Sequence, residues 1–262
     1  MAKGKGLING LIELLFPPRC AACGALMSPT ERETGALCAR CMEEWRLAKE
    51  MQCEKCFCAA TQCRCQPELL EHVSCHAFYK LVYYLHGKET PVQNRIIYRI
   101  KNTRDRRAVA FLTQELATAL KHEVMDSAVV AYIPRRRIAY LETGTDQARE
   151  LASSLARELG LPLLHCLKRK KGRDREQKKL GPEERWRNAK SSYALADQSI
   201  KGKRVILVDD IVTTGASLAA CVQKLLRAGA TEVLCVAVAA DDANRTPKMA
   251  PLIKSGEFAH FQ

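Results

Sequence analysis

Arg204-Val-Ile-Leu-Val-Asp-Asp-Ile-Val-Thr-Thr-Gly-Ala-Ser217 decides how this chain folds, because an apolar run ends there in two carboxylates and a turn of small hydroxyl residues. Val205 to Val208 suit a buried parallel strand, and Leu218, Cys221, Val222, Leu225 and Leu226 then recur at helical spacing. The spacing predicts a strand-to-helix turn over residues 209 to 217. In an open α/β sheet such a turn lies at the carboxyl edge, where ligands bind, and the N–H groups of the helix start face outward. Thr213, Thr214 and Ser217 add hydroxyl donors for a phosphate, and Gly215 lets the backbone approach an anion without a Cβ in the way. Asp209 and Asp210 would repel that phosphate, but carboxylates accept hydrogen bonds from vicinal sugar hydroxyls. A ribose 5-phosphate satisfies both halves. The alternative is a plain strand-turn-helix in which the aspartates cap the helix and the threonines fill the turn.

The chain has 262 residues, 47% of them hydrophobic, enough for a full α/β core and a small additional module. Its 13 cysteines, paired at two-residue intervals without a signal peptide, argue for metal in a reducing cytosol rather than a secreted disulfide scaffold. Leu7 to Phe16 is apolar but short and interrupted by Glu13, so a short amphipathic helix without membrane insertion is expected. Composition divides the chain into 1–70, a helix and cysteine-rich module; 71–240, an α/β domain; and 241–262, a loosely attached tail.

Cys20-x-x-Cys23 with Cys38-x-x-Cys41 has the spacing of a four-cysteine zinc ribbon. Cys53-x-x-Cys56 with Cys63-x-Cys65 makes a second, in which Cys58 is an alternative ligand. Sulfur at all four positions leaves no open place for water activation, so the zinc is structural. Such a module buries little apolar surface of its own, and zinc binding, worth about 10–16 kcal/mol in finger peptides, would supply its folding free energy. Cys75, Cys166, Cys221 and Cys235 read as small buried hydrophobes.

Beyond the ribbons, Asp105 to Lys121 is helix-like, 128–133 a buried strand, Gln147 to Leu159 a helix and Thr231 to Ala239 a further strand. This alternation predicts a parallel sheet with helices on both faces. Residues 166–190 break it, with eleven Lys/Arg against four Asp/Glu, and read as a lid or flexible strip. The formal net charge of +13 and basic density at 95–107 and 168–190 favour an anionic partner larger than one nucleotide. Single-stranded DNA is the candidate, with Lys101, Arg104, Arg106 and Arg107 on its phosphates and Tyr98 or Trp186 stacking on bases. The competing reading is a cleft made positive for a phosphorylated sugar.

The 204–217 stretch resembles the phosphoribosyl pyrophosphate (PRPP) signature of type I phosphoribosyltransferases. That resemblance implies that Asp209 and Asp210 hold the ribose hydroxyls while Thr213, Thr214, Gly215, Ala216 and Ser217 wrap the 5-phosphate. Two ribbons ahead of this socket resemble the ComF family, double-zinc-ribbon phosphoribosyltransferase-like proteins linked to DNA uptake. Leu15-Phe-Pro-Pro-Arg-Cys-Ala-Ala-Cys-Gly24, Ile96-Ile-Tyr-Arg-Ile-Lys101 with Arg104-Asp-Arg-Arg107, and the series Gln177, Leu180, Arg185, Asn188, Tyr193 carry that likeness. It implies a glycosyltransferase acting on PRPP with Mg²⁺, a flexible loop bearing Gln177 and Arg185, and a competence helicase as partner. The chain departs from the family at Thr143-Gly-Thr-Asp-Gln147, where relatives carry R-G-F-N-Q. Arg135, Arg136 and Arg137 take the pyrophosphate position, and guanidinium groups suit a diphosphate, although a solvated basic turn is the alternative. Two readings remain, an enzyme with an unspecified acceptor and a non-catalytic PRPP- or DNA-binding adaptor.

Overall fold

The computed structural model describes residues 17–87, 90–103, 105–123, 126–135, 144, 146–170, 182–197 and 199–241. The helix expected over Leu7 to Phe16 and the tail after Asp241 lie outside them. Strands β1 (Phe78–Tyr84), β2 (Ala128–Tyr132), β5 (Arg204–Val212) and β6 (Glu232–Asp241) form a parallel sheet in the order β1-β6-β5-β2. A separate antiparallel hairpin joins β3 (Leu167–Arg169) to β4 (Tyr193–Leu195). The parallel strands are apolar nearly throughout, as strands covered on both faces must be. Along β5, Ile206 and Val208 enter one core and Val205 and Leu207 the other, the two-residue alternation of a strand.

Helices α4 (Val92–Asn102), α5 (Arg106–Ala119) and α6 (Gln147–Leu159) pack into the first core with α2 (Ala39–Lys49), which follows the short α1 (Pro29–Thr34). Helices α3 (Glu68–Glu71), α7 (Pro182–Ser192) and α8 (Ala216–Arg227) pack into the second. Helix α5 starts where Asp105 accepts hydrogen bonds from the Arg107 and Ala108 amides. Helix α6 has the bounds that its leucine spacing predicts, capped by Asp146 and stopped at Gly160, whose φ of 66° is the left-handed conformation glycine tolerates.

One expectation is corrected. Strand β5 does not stop at Val208 but continues through Asp209 and Asp210 to Val212, pairing Asp209 with Ala237 and Ile211 with Ala239 of β6. The acids therefore belong to the strand end, and the turn proper is Thr213 to Gly215. Ladder hydrogen bonding to the neighbouring strand overrides the polarity of the two aspartates.

The two cysteine clusters join opposite faces of the sheet. Cys20, Cys38, Cys41 and Trp45 enter the core shared with Ile96 and Leu112, whereas Cys53, Cys63 and Leu70 enter the core shared with Leu218 and Cys221. Between them runs β1, the outer strand, buried from Phe78 to Tyr83 even though it borders the sheet. The second ribbon covers it: Arg64 lies over the Tyr79 ring at 3.8 Å, and the buried Lys80 ammonium donates to the Cys63 carbonyl at 3.3 Å.

Candidate functional site

The carboxyl ends of β2 and β5, the N-terminus of α8 and the β3–β4 hairpin enclose a cavity of about 220 Å³. Arg135, Arg169, Tyr193, Asp209, Asp210 and Ser217 supply its polar wall, and Ile133, Pro134 and Ala148 its apolar one. Helix α8 begins at Gly215, whose φ is 77° and which offers no side-chain cap, so its first N–H groups point to the cavity edge with the partial positive charge of a helix start.

Asp209 and Asp210 are locked by their own backbone. The Asp210 amide donates to Asp209 Oδ1 at 2.9 Å and the Ile211 amide to Asp210 Oδ1 at 2.8 Å. Burial, then the negative Asp210 beside it, pushes the Asp209 carboxyl well above its ordinary range. Lys101 balances the pair, its Nζ 3.5 Å from Asp210 Oδ2. This residue, expected on DNA, thus faces the acids from the end of α4, and the Gln147 side chain holds its carbonyl at 3.1 Å. Asp146 caps α6 by accepting from the Arg149 amide at 3.2 Å and also accepts from the Arg135 amide at 3.4 Å. Burial raises its carboxyl too.

Sequence reasoning missed Arg169 and the contact made by Tyr193. Arg169 Nη1 donates to the Tyr193 hydroxyl at 2.9 Å, and that hydroxyl donates to Ser217 Oγ at 3.1 Å, which ties the hairpin to the start of α8. Burial pushes the Tyr193 phenol up to about 12, so it remains a donor at neutral pH. Arg169 was submerged in the basic strip. Only the pairing of residues 24 apart reveals it. Of the arginine turn, Arg135 lines the cavity, while Arg136 and Arg137 lie outside the described residues, as do Arg104, Gln177 and the Arg185 side chain. Arg106 is exposed, and Arg107 reaches back to the Arg19 carbonyl and Met27 sulfur of the first ribbon.

In each cysteine cluster, Cys20/Cys23/Cys38/Cys41 and Cys53/Cys56/Cys63/Cys65, all four sulfurs lie within 4.8 Å of one another. A tetrahedral zinc with 2.3 Å bonds needs sulfur separations of about 3.8 Å, and Cys23 and Cys38 stand at 3.7 Å. Both sets fit zinc. Cys58 is exposed and is not among the four clustered sulfurs of the second set. The knuckles repeat one backbone shape, with Gly24 after Cys23 at φ 73° and Phe57 after Cys56 at φ 59°.

Two family models match parts of the chain. Residues 11–77 match the model of the double zinc ribbon domain. Residues 145–257 match that of the phosphoribosyl transferase domain. The two matches follow one another along the chain, the ribbon model first and the transferase model after it. None of the curated proteins compared with it matches. Among solved structures it is similar to an allosteric regulatory enzyme of purine biosynthesis, at 24% identity over 50% of this chain and 25% of that one, with a TM-score of 0.36. It is similar also to glutamine PRPP amidotransferase from B. subtilis, at 19% identity over 59% and 29%, with a TM-score of 0.35. A third is adenine phosphoribosyltransferase from Leishmania tarentolae, at 15% identity over 57% and 77%, with a TM-score of 0.36. The chain spans about a quarter of the length of the first of these. Among the described residues no helix is long and apolar enough to cross a membrane.

Proposed function

We propose that this chain binds PRPP with Mg²⁺ and transfers its phosphoribosyl group to a nucleophilic acceptor, releasing pyrophosphate, as a cytoplasmic ComF-like protein of DNA uptake or nucleotide salvage. The observation that carries this reading is the convergence of Asp209, Asp210, Ser217, Arg135 and Arg169 on one cavity. Asp209 and Asp210 accept hydrogen bonds from the ribose 2- and 3-hydroxyls. Thr213 to Ser217 and the start of α8 hold the 5-phosphate. Arg135, with Arg136 and Arg137 beyond it, meets the diphosphate through charge-assisted hydrogen bonds, and Arg169 adds positive charge at the phosphate end.

The acceptor lone pair forms a bond to C1 as the bond from C1 to the diphosphate oxygen breaks, its electron pair leaving with pyrophosphate. The acceptor proton passes to solvent or base. Positive charge grows on the sugar ring in between, and the two carboxylates are already in place to stabilise it without reorganisation. Their hard oxygen donors also suit Mg²⁺, which when bound neutralises charge on the departing diphosphate. In this reading the basic strip 166–190, with Gln177 and Arg185 in its sequence, serves to exclude water from the activated sugar.

The deciding experiment is pyrophosphate release from PRPP with Mg²⁺ and a panel of bases and amines. Turnover in the wild-type chain that disappears in the Asp209→Asn/Asp210→Asn variant is expected; no release with any acceptor overturns the catalytic half of the proposal.

A second reading, an adaptor for single-stranded DNA that docks a competence helicase, is favoured by the exposure of Tyr98, 68% on α4, and of Arg106 at the start of α5. Arg106→Ala with Arg104→Ala is then expected to weaken single-stranded DNA binding and to reduce the salt slope of log K by about 0.7 per lost phosphate contact. An unchanged slope rejects it. Arg107 is the poorer probe because it also fastens the first ribbon.

A further inference from the structure

The second cysteine cluster and the phosphate loop are contiguous. Cys65, the last ligand, is followed within five residues by Leu70, and the segment between them forms the back wall of the turn after β5. The Leu69 amide donates to the Thr214 carbonyl at 3.1 Å. A Cβ on Gly215 would stand 3.0 Å from Pro67 Cβ and 3.2 Å from Leu70 Cβ, a spacing that only a glycine backbone allows. Leu70 is fully buried in the core that includes Cys53, Cys63 and Ala216. At the other end of the segment, Lys80 Nζ donates to the carbonyls of Cys63 at 3.3 Å and Cys65 at 3.5 Å, tying a buried cation to the backbone of the Cys63-x-Cys65 pair. The first cluster packs in the other core, among α2, α4 and α5.

We propose that metal in the second cluster and the ligand in the phosphate loop stabilise one another through the Cys65–Leu70 segment, whereas metal in the first cluster is indifferent to that ligand. This rests on reading 213–217 as the loop that holds the PRPP 5-phosphate. Metal fixes both ends of the Cys63-x-Cys65 pair, so α3 emerges in a set direction and presses on Thr214 and Gly215. Without it, the segment loses its anchor and the N–H groups at the start of α8 lose their backing. Linkage is reciprocal: whatever metal does for PRPP affinity, PRPP does for metal retention.

The test uses the zinc-loaded full chain. Zinc release to a chromogenic chelator is followed with and without saturating PRPP and Mg²⁺, while alkylation and mass spectrometry report which cysteines become exposed. Release from the second cluster is expected to slow about tenfold or more, within the usual range of coupling between sites, with Cys53, Cys56, Cys63 and Cys65 protected and the first cluster unaffected. Equal effects on both clusters, or none while calorimetry shows PRPP bound, overturn the proposal. Failure of calorimetry to show binding instead removes the PRPP reading. The coupling is then judged by hydrogen exchange in the Cys65→Ser variant, where amides of 213–217 should exchange about tenfold faster with 204–208 unchanged. Unaltered exchange at 213–217 overturns it. If that variant does not fold, the wild-type chelation experiment still decides, because it needs no substitution.

Discussion

Asp209→Asn is expected to weaken PRPP binding by about 10- to 100-fold, since hydrogen bonds to a charged group contribute about 1.5–3 kcal/mol, and at the same time to make the unliganded chain more stable. Burial, reinforced by the charge of Asp210, raises the Asp209 carboxyl, so the folded chain holds its proton to higher pH than the unfolded chain. A raised acid contributes stability that is complete below its unfolded pKa and is lost as pH climbs through its folded pKa. Near neutrality the wild type therefore carries a repulsion that asparagine removes. If this relieves about 1 kcal/mol, the melting temperature rises by about 2–4 °C for a chain of this size, and the gap between variant and wild type widens with pH. PRPP affinity of the wild type moves the other way, increasing with pH as the carboxylate becomes a full acceptor. Thermal melts and calorimetry across a pH series check both. A variant that binds as tightly as wild type would remove Asp209 from the ribose site. Destabilised acids at a binding edge are a common cost of function.

Stripping zinc is expected to have the larger effect on the fold. Elemental analysis should find about two ions per chain, four thiolates to each. Zinc binding in finger peptides, about 10–16 kcal/mol, matches or exceeds the whole stability of a typical domain, about 5–15 kcal/mol. The ribbons do not stand apart from the sheet. Trp45, fully buried, meets Phe111 of α5 edge to face at 5.6 Å and donates through its indole to Glu115, which also pairs with Lys49. Removing metal from the first cluster, by chelation or by Cys41→Ser, should therefore shift Trp45 emission to the red and lower the melting temperature as α2 loosens from α5. A metal-free chain that melts at the native temperature with Trp45 emission unchanged would show that the sheet needs no ribbon.

Much of this architecture is legible in the sequence, for identifiable reasons. The Val205–Val208 run, the leucines of α6 with Gly160 behind them and the paired cysteines are local signals, complete within a few residues. The extension of β5 through Asp209 to Val212 is not, because pairing with β6 creates it and two aspartates conceal it. Nor does any local pattern place Lys101 against Asp210, 109 positions on, or Arg169 against Tyr193. Cysteine spacing names the ligands of each ribbon but says nothing of which face of the sheet each will occupy. Those facts depend on chain path. The charge run 166–190 is the instructive case, since a basic composition hid one arginine, Arg169, that turns inward to the cavity.

Outer strand β1 lies beneath the second ribbon, with Lys80 and Tyr79 engaged by Cys63 and Arg64. An outermost strand whose amides and carbonyls are bared is a template for other chains. Metal starvation would thus expose a sticky border, and its expected first symptom is precipitation of newly made protein.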